Sequence, residues 1–337
     1  MRLTLKVASP GNVLLSPALQ LNFYSPMLRL LASLLLVSSL MAAPPVAPGK
    51  RILFLGDSIT YGAGYIAMID TGLVLSDPDS KYDVISAGLS SETTSGLSEP
   101  GHAGGKFERP DVHERLDRVL AKTKPDLVLA CYGMNDGIYM PLTEERFKAF
   151  REGMTKLHDK VTATGAKIIH LTPPVFDPEA IPQRVDMSGE PGKMYAKYNE
   201  VLDRYSDWLM EQHKAKGWEV IDLHGPMKSA LAAGRASDPK FVFSKDGVHP
   251  GDEGHALMAA AVLDAWGIAP KARDFRLHPK GTEVLKLIKQ KTELLRDAWL
   301  TETGHKRPGV KAGLPLAEAN AKAAEADAAA RRLVLSK

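Results

Sequence analysis

Ser58, Asp246 and His249 are the residue types of a nucleophile, an orienting carboxylate and a general base, and each stands where the chain turns. Gly56-Asp57-Ser58-Ile59-Thr60 directly follows the apolar run Arg51-Ile52-Leu53-Phe54-Leu55, which reads as a buried parallel strand. A serine at the sharp exit of such a strand faces the crevice where open α/β sheets gather their functional groups. Gly-Asp-Ser is also good turn chemistry, so the assignment needs partners. Asp246-Gly247-Val248-His249-Pro250 supplies them, because a carboxylate three residues before a histidine can fold back onto the imidazole and fix its tautomer.

Two further strand ends complete the chemistry of acyl transfer. Leu127-Val128-Leu129-Ala130-Cys131 runs into Tyr132-Gly133-Met134-Asn135-Asp136, and Tyr82-Asp83-Val84-Ile85 runs into Ser86-Ala87-Gly88-Leu89-Ser90. A tetrahedral intermediate needs hydrogen-bond donors aimed at its oxyanion. The Asn135 amide and the backbone N–H of an unhindered Gly88 suit that role, alongside the N–H of Ser58 itself.

Four blocks in this order resemble the SGNH (GDSL-type) hydrolases: Gly56-Asp57-Ser58, the segment around Gly88, Gly133-Met134-Asn135-Asp136, and Asp246-Gly247-Val248-His249. The resemblance spans roughly residues 50 to 265. The second block departs from the family pattern, which has Asn before the glycine and another Gly soon after; here Ser86 precedes and Ser90-Ser91 follow. The resemblance implies a flavodoxin-like fold and a serine ester hydrolase that uses no metal or organic cofactor.

The other histidines rank lower. His255 follows Gly254, two residues into the helix expected there, and reads as structural, although it is the obvious competitor for the base. His102, in Glu99-Pro100-Gly101-His102-Ala103-Gly104-Gly105, lies in a candidate substrate loop.

Stepwise alternation of strands with helix-length segments argues for βαβ units. Strand-like runs recur at residues 51–55, 82–86, 127–131, 167–171 and 218–223. Phe147, Phe150, Met154, Leu157 and Val161 recur at helical spacing within 143–164, with Gly165 as the stop, and Tyr198, Val201, Leu202, Tyr205 and Leu209 repeat the pattern before Gly217. The expected architecture is a five-stranded parallel sheet with helices on both faces and the catalytic blocks meeting above one sheet edge. The long connections Ser91 to Asp111 and Pro173 to Lys193, rich in glycine, proline and polar residues, are the expected walls of the substrate site.

Outside the expected hydrolase domain, 50–267, stand two other regions. Residues 30–43 are apolar, begin after Arg29 and end in small residues before Pro44-Pro45, the pattern of a signal peptide over 27–43. Met27 makes residues 1–26 a candidate over-extended start. Export to the periplasm or the extracellular space follows, with an uncleaved anchor as the alternative, and no stable membrane span is expected after cleavage. At the other end, residues 268–337 form a helical extension. Over 271–337 it carries 15 Lys and Arg against 8 Asp and Glu, a balance of +7, so it either docks on the acidic core or trails as a solvated tail.

Without residues 1–43 the chain holds 40 basic and 40 acidic side chains, and no basic footprint points to nucleic acid. The single cysteine, Cys131, precludes an intramolecular disulfide. The expected partner is a small-molecule or oligosaccharide ester, most simply a short acyl group such as acetyl on carbohydrate. Two alternatives stay open: a lipid or lysophospholipid esterase, and an inactive carbohydrate-binding or scaffold protein on the same fold.

Overall fold

A computed structural model describes residues 45, 47–189 and 192–336. The expected signal segment and the residues before it lie outside that range. The described residues belong to one compact unit, Ala42–Lys337.

Its centre is a five-stranded parallel sheet in the order β2-β1-β3-β4-β7, formed by β1 (Arg51–Gly56), β2 (Asp83–Ser86), β3 (Leu127–Cys131), β4 (Lys167–Leu171) and β7 (Glu219–Ile221). All four pairings are parallel. Strands covered on both faces need continuous apolar sequence, and Ile52 to Leu55 and Leu127 to Ala130 are wholly buried. Two short strands that the sequence did not announce, β5 (Val185–Asp186) and β6 (Met194–Tyr195), pair across the second long connection.

The order reverses between β1 and β3. Ser58 leaves the end of β1 and Asn135 follows β3, so both sit at the switch point where open α/β sheets form their crevice. Helices cover both faces. α1 (Ser58–Gly62) is a single turn that leads into α2 (Gly64–Ser76); α3 (Leu116–Thr123) packs with α4 (Glu144–Ala163), which also lies on β4. The two amphipathic stripes form α4 and α5 (Tyr198–Lys216), the latter ending at Gly217 with φ 70. α6 (His224–Ser237) and α7 (Asp252–Ala265) follow. α7 starts before Gly254, so His255 is its fourth residue rather than its second. A glycine there does not stop the turn, because Asp252 and Glu253 in the first turn favour the helix N-terminus.

The extension forms α8 (Gly281–Thr303) and α9 (Leu316–Leu335), which pack on each other, on α2 and along the edge strand β2. Val284, Ile288 and Ala330 join Ala67 and Val74 in an apolar cluster. Lys291, 8% exposed, reaches Asp70 of α2 at 2.9 Å and Asp327 of α9 at 2.7 Å. The extension therefore docks, through an apolar stripe, a buried charge cluster in which Arg331 also binds Asp327, and exposed pairs such as Lys122–Glu302 and Lys306–Glu114.

Candidate active site

Ser58 is the first residue of α1. Asp57 caps that turn by accepting the Ile59 N–H at 2.9 Å, as an N-cap carboxylate does. The Asp57 carboxyl is 2% exposed, and burial pushes it up to about 7, against the opposing effects of the Ile59 N–H, His249 and Arg109.

The loop bearing Asp246 and His249 is folded back by a left-handed Gly247, φ 82, whose N–H donates to the Ser244 carbonyl and whose carbonyl accepts the Asp177 N–H at 2.8 Å. Asp246 Oδ1 accepts the backbone N–H groups of Val248 and His249, at 3.0 and 2.8 Å. Its Oδ2 lies 2.6 Å from His249 Nδ1, and His249 Nε2 lies 2.7 Å from Ser58 Oγ. The geometry fits Nδ1–H donating to the carboxylate and the serine hydroxyl donating to Nε2. Partial burial pushes the Asp246 carboxyl up, but the hydrogen bonds from His249 and Val248 outweigh it and hold it below the usual carboxylate range. The His249 and Asp246 side chains are 49% and 46% exposed, so the dyad is open to solvent.

Asn135 is buried and its amide orientation is fixed by three partners. Oδ1 accepts Arg109 Nη1 at 2.9 Å and the Tyr139 hydroxyl at 3.1 Å, and Nδ2 donates to the Glu92 carbonyl at 3.3 Å. Two donors on one atom identify it as the oxygen, leaving the second Nδ2 hydrogen free. Arg109 is in turn held by Glu99 through Nε and Nη2, at 2.6 and 2.7 Å. The neighbouring Asp136 is structural: its carboxylate accepts the N–H groups of Thr94, Ser95 and Gly133.

Gly88 lies under the turn that begins with Ser58. A Cβ there would come within 2.5 Å of the Tyr61 nitrogen and 2.6 Å of the Thr60 carbonyl carbon, so only glycine allows β2 and α1 to approach this closely. The N–H groups of Ala87 and Leu89 donate to β1 carbonyls, turning the intervening Gly88 N–H away from β1. Ser91 adopts φ 68. The backbone thus keeps a left-handed residue in the stretch after Gly88, where the sequence has two serines instead of a second glycine.

The two expected loop walls meet. Glu99, His102 and Arg109 from the first, Arg184 and Lys193 from the second and Met194 just beyond it line one cavity of about 270 Å³ with Ile138, Tyr139 and Met140. Ser58 and His249 are not among its lining residues; Arg109 and Tyr139, which grip Asn135, connect the two. Ile138 and Tyr139 have φ 48 and 56, rare for a β-branched and an aromatic residue, and such strain concentrates at functional sites. His102 donates from Nδ1 to the Glu99 carboxylate at 3.1 Å and packs on Phe107; it forms part of this wall and makes no bond to Ser58, Asp246 or His249. His255 is likewise apart, stacked on Tyr65 with ring centroids 6.2 Å apart.

Glu99, Arg109 and Tyr139 carried no local signal: each lies in an irregular connection, and only the fold brings Arg109 and Tyr139 onto Asn135 and Glu99 onto Arg109.

The model of the GDSL-like lipase/acylhydrolase family matches residues 54–257. Among solved structures, a gut microbial diltiazem-metabolizing enzyme is similar at 23% identity and TM-score 0.55, over 68% of this chain and 50% of its own length. This chain thus corresponds to half of that protein. The acetylxylan esterase Axe2 from Geobacillus stearothermophilus, in a catalytic mutant form, is similar at 20% identity and TM-score 0.50, over 66% of this chain and 97% of its own. At these identities the likeness establishes the fold. A search of curated proteins found no match.

Proposed function

The chain belongs to the GDSL-like lipase/acylhydrolase family, and from that premise we propose that it is a serine esterase working through an acyl-enzyme. The observation that carries the reading is the continuous chain from Asp246 Oδ2 through both nitrogens of His249 to Ser58 Oγ, at 2.6 and 2.7 Å. Ser58 Oγ attacks the ester carbonyl as its proton passes to His249 Nε2, and Asp246 supports the imidazolium. The oxyanion is met by the Asn135 amide and by the backbone N–H groups of Ser58 and Gly88; the first N–H of a helix has no intrahelical partner. His249 then gives its proton to the departing alcohol. Water, deprotonated by the same nitrogen, attacks the acyl-enzyme, and the carboxylic acid leaves as Ser58 recovers its proton.

The substrate we favour is a short acyl group, acetyl above all, on carbohydrate. A half-exposed Asp246–His249 dyad suits an ester displayed on a larger polar molecule better than one drawn into a lipid tunnel. The adjoining cavity has charged walls in Glu99, Arg109, Arg184 and Lys193, and the similarly folded Axe2 is an acetylxylan esterase. Ile138, Met140 and Met194 give the same cavity an apolar side, which is what favours the second reading, a lipid esterase. Acetylated oligosaccharides assayed beside aryl esters of two to twelve carbons separate the two, and preference for eight carbons or more would defeat the first. Ser58→Ala should abolish turnover and fluorophosphonate labelling in folded protein. Substantial turnover without Ser58 would remove the mechanism altogether. Export from the cell, expected from the N-terminal pattern, is part of this proposal.

A further inference from the structure

Residues 281–308 lie outside the span matched by the family, yet two of their arginines end on the main chain of the active site. Arg296, on α8, donates from Nη1 to the Tyr61 carbonyl at 2.9 Å, and its guanidinium lies 4.4 Å from the centre of the Tyr61 ring. Tyr61 belongs to α1, the single turn that begins with Ser58. The last carbonyls of so short a helix have few partners within it, and a cation at that end is favoured by the aligned peptide dipoles. Arg296 therefore closes the far end of the turn that Asp57 caps at the near end.

Arg307, in the loop after α8, donates from Nε to the Ser90 carbonyl at 2.9 Å and lies 5.2 Å from the centre of the Phe107 ring. The Ser90 carbonyl and the Ser91 N–H share one planar peptide, so holding the first orients the second. That peptide enters the left-handed Ser91, a conformation that persists only where the surroundings enforce it. Lys306, Arg307 and Pro308 also close a cavity of about 260 Å³ with Leu89, Glu92 and Arg109.

We propose that the C-terminal extension is a working part of the active site, in which Arg296 and Arg307 are positioning residues that hold the Ser58 turn and the 89–92 loop in their reactive arrangement. The inference rests on the esterase reading for its kinetic consequence and on geometry alone for its structural one.

The test uses the full chain with Arg296→Ala, Arg307→Ala, Arg307→Lys and, as control, Lys280→Ala. Lys280 bonds the Leu333 carbonyl at 2.9 Å, clasping the extension to itself away from Tyr61 and Ser90. Turnover of a short aryl ester, melting temperature and amide hydrogen exchange over 58–63 and 89–92 are measured on each. Each alanine variant at Arg296 or Arg307 should lower kcat roughly three- to tenfold, the equivalent of one lost hydrogen bond, with KM within about twofold. Exchange should accelerate in 58–63 for Arg296→Ala and in 89–92 for Arg307→Ala. Arg307→Lys, which keeps a donor, should recover most of the rate, and Lys280→Ala should lower only the melting temperature. Arginine variants that lose thermal stability with unchanged kcat and unchanged exchange in these segments would overturn the proposal. If instead Ser58→Ala retains turnover, the Ser58 mechanism fails, and the exchange data still decide whether the arginines hold the two segments.

Discussion

Tyr139→Phe should slow the enzyme by acting through Asn135. The change removes one hydroxyl whose bond to Asn135 Oδ1 is 3.1 Å, and it keeps the ring, which packs 5.0 Å from Tyr198 and 6.0 Å from Phe176. Arg109 Nη1 still holds Oδ1 at 2.9 Å and Nδ2 still donates to the Glu92 carbonyl, so the amide loses one of three anchors. A neutral hydrogen bond contributes about 0.5–1.5 kcal/mol net, which converts to a fall in kcat of roughly two- to twelvefold if the whole loss appears in the transition state. Asn135→Ala removes the proposed oxyanion donor itself and should cost about 2.7–4 kcal/mol, a hundred- to thousandfold in kcat, with a much smaller change in KM. The decisive measurement is the double variant. If Tyr139 works only by orienting Asn135, Asn135→Ala with Tyr139→Phe is no slower than Asn135→Ala alone. Rates that fall by the product of the single effects would refute the relay. An Asn135→Ala protein with lowered melting temperature and normal kcat would remove Asn135 from the oxyanion site.

His249→Ala should remove nearly all turnover, whereas His255→Ala should lower the melting temperature through the lost packing on Tyr65 and Gly64 while keeping most activity; the reverse ranking would move the base to α7. Burial holds His170 at about 3 and His255 at about 4, so between roughly pH 6.5 and 4 the unfolded chain binds protons that the native state refuses, and stability should fall on acidification. Asp57, raised to about 7 by burial, has the opposite sign over pH 4 to 7, and buried Glu92 and Asp136 are raised with it, but His102, His113, His158 and His305 are lowered by burial alongside His170 and His255; urea unfolding at pH 7.0, 5.5 and 4.5 checks the balance, and a stability that rises toward pH 4.5 would contradict it.

What was legible in the sequence was what is local. The sheet strands could be read because buried parallel strands are continuous apolar runs, and Asp246 with His249 because three residues of chain suffice to bring carboxylate and imidazole together. The composition of the long connections marks them as expected walls, and residues from both line one cavity. The pairing of β5 with β6 could not be read, since two residues a side carry no periodicity. Nor could the grip on Asn135: Arg109 is 26 residues away in a loop whose neighbours are glycine and proline, and Arg296 reaches Tyr61 across 235 residues. Charge balance alone cannot choose between a docked and a solvated helix for the extension. Val284, Ile288, Leu295 and Trp299 decide it by burial.

Beneath the 87–92 segment the same long-range logic recurs in its most costly form. Arg115 and Glu92 are 1% and 0% exposed, and Arg115 Nε and Nη2 meet the two carboxylate oxygens at 2.6 and 2.7 Å. Arg115 Nη2 also donates to the Ala87 carbonyl, and the Tyr132 hydroxyl donates to Glu92 at 2.7 Å. A buried ion pair is weak evidence of net stabilisation, because desolvating both charges offsets much of their attraction. Its effect here is to specify an arrangement: Ala87 and Glu92 bracket Gly88 and Ser91, and the Glu92 carbonyl accepts from Asn135. Removing either charge leaves the other buried and unpaired, so the loop cannot relax to a second position cheaply. The segment that faces the Ser58 turn is therefore held by contacts that need no substrate, and fixed N–H donors held in that way can stabilise the proposed oxyanion without reorganising.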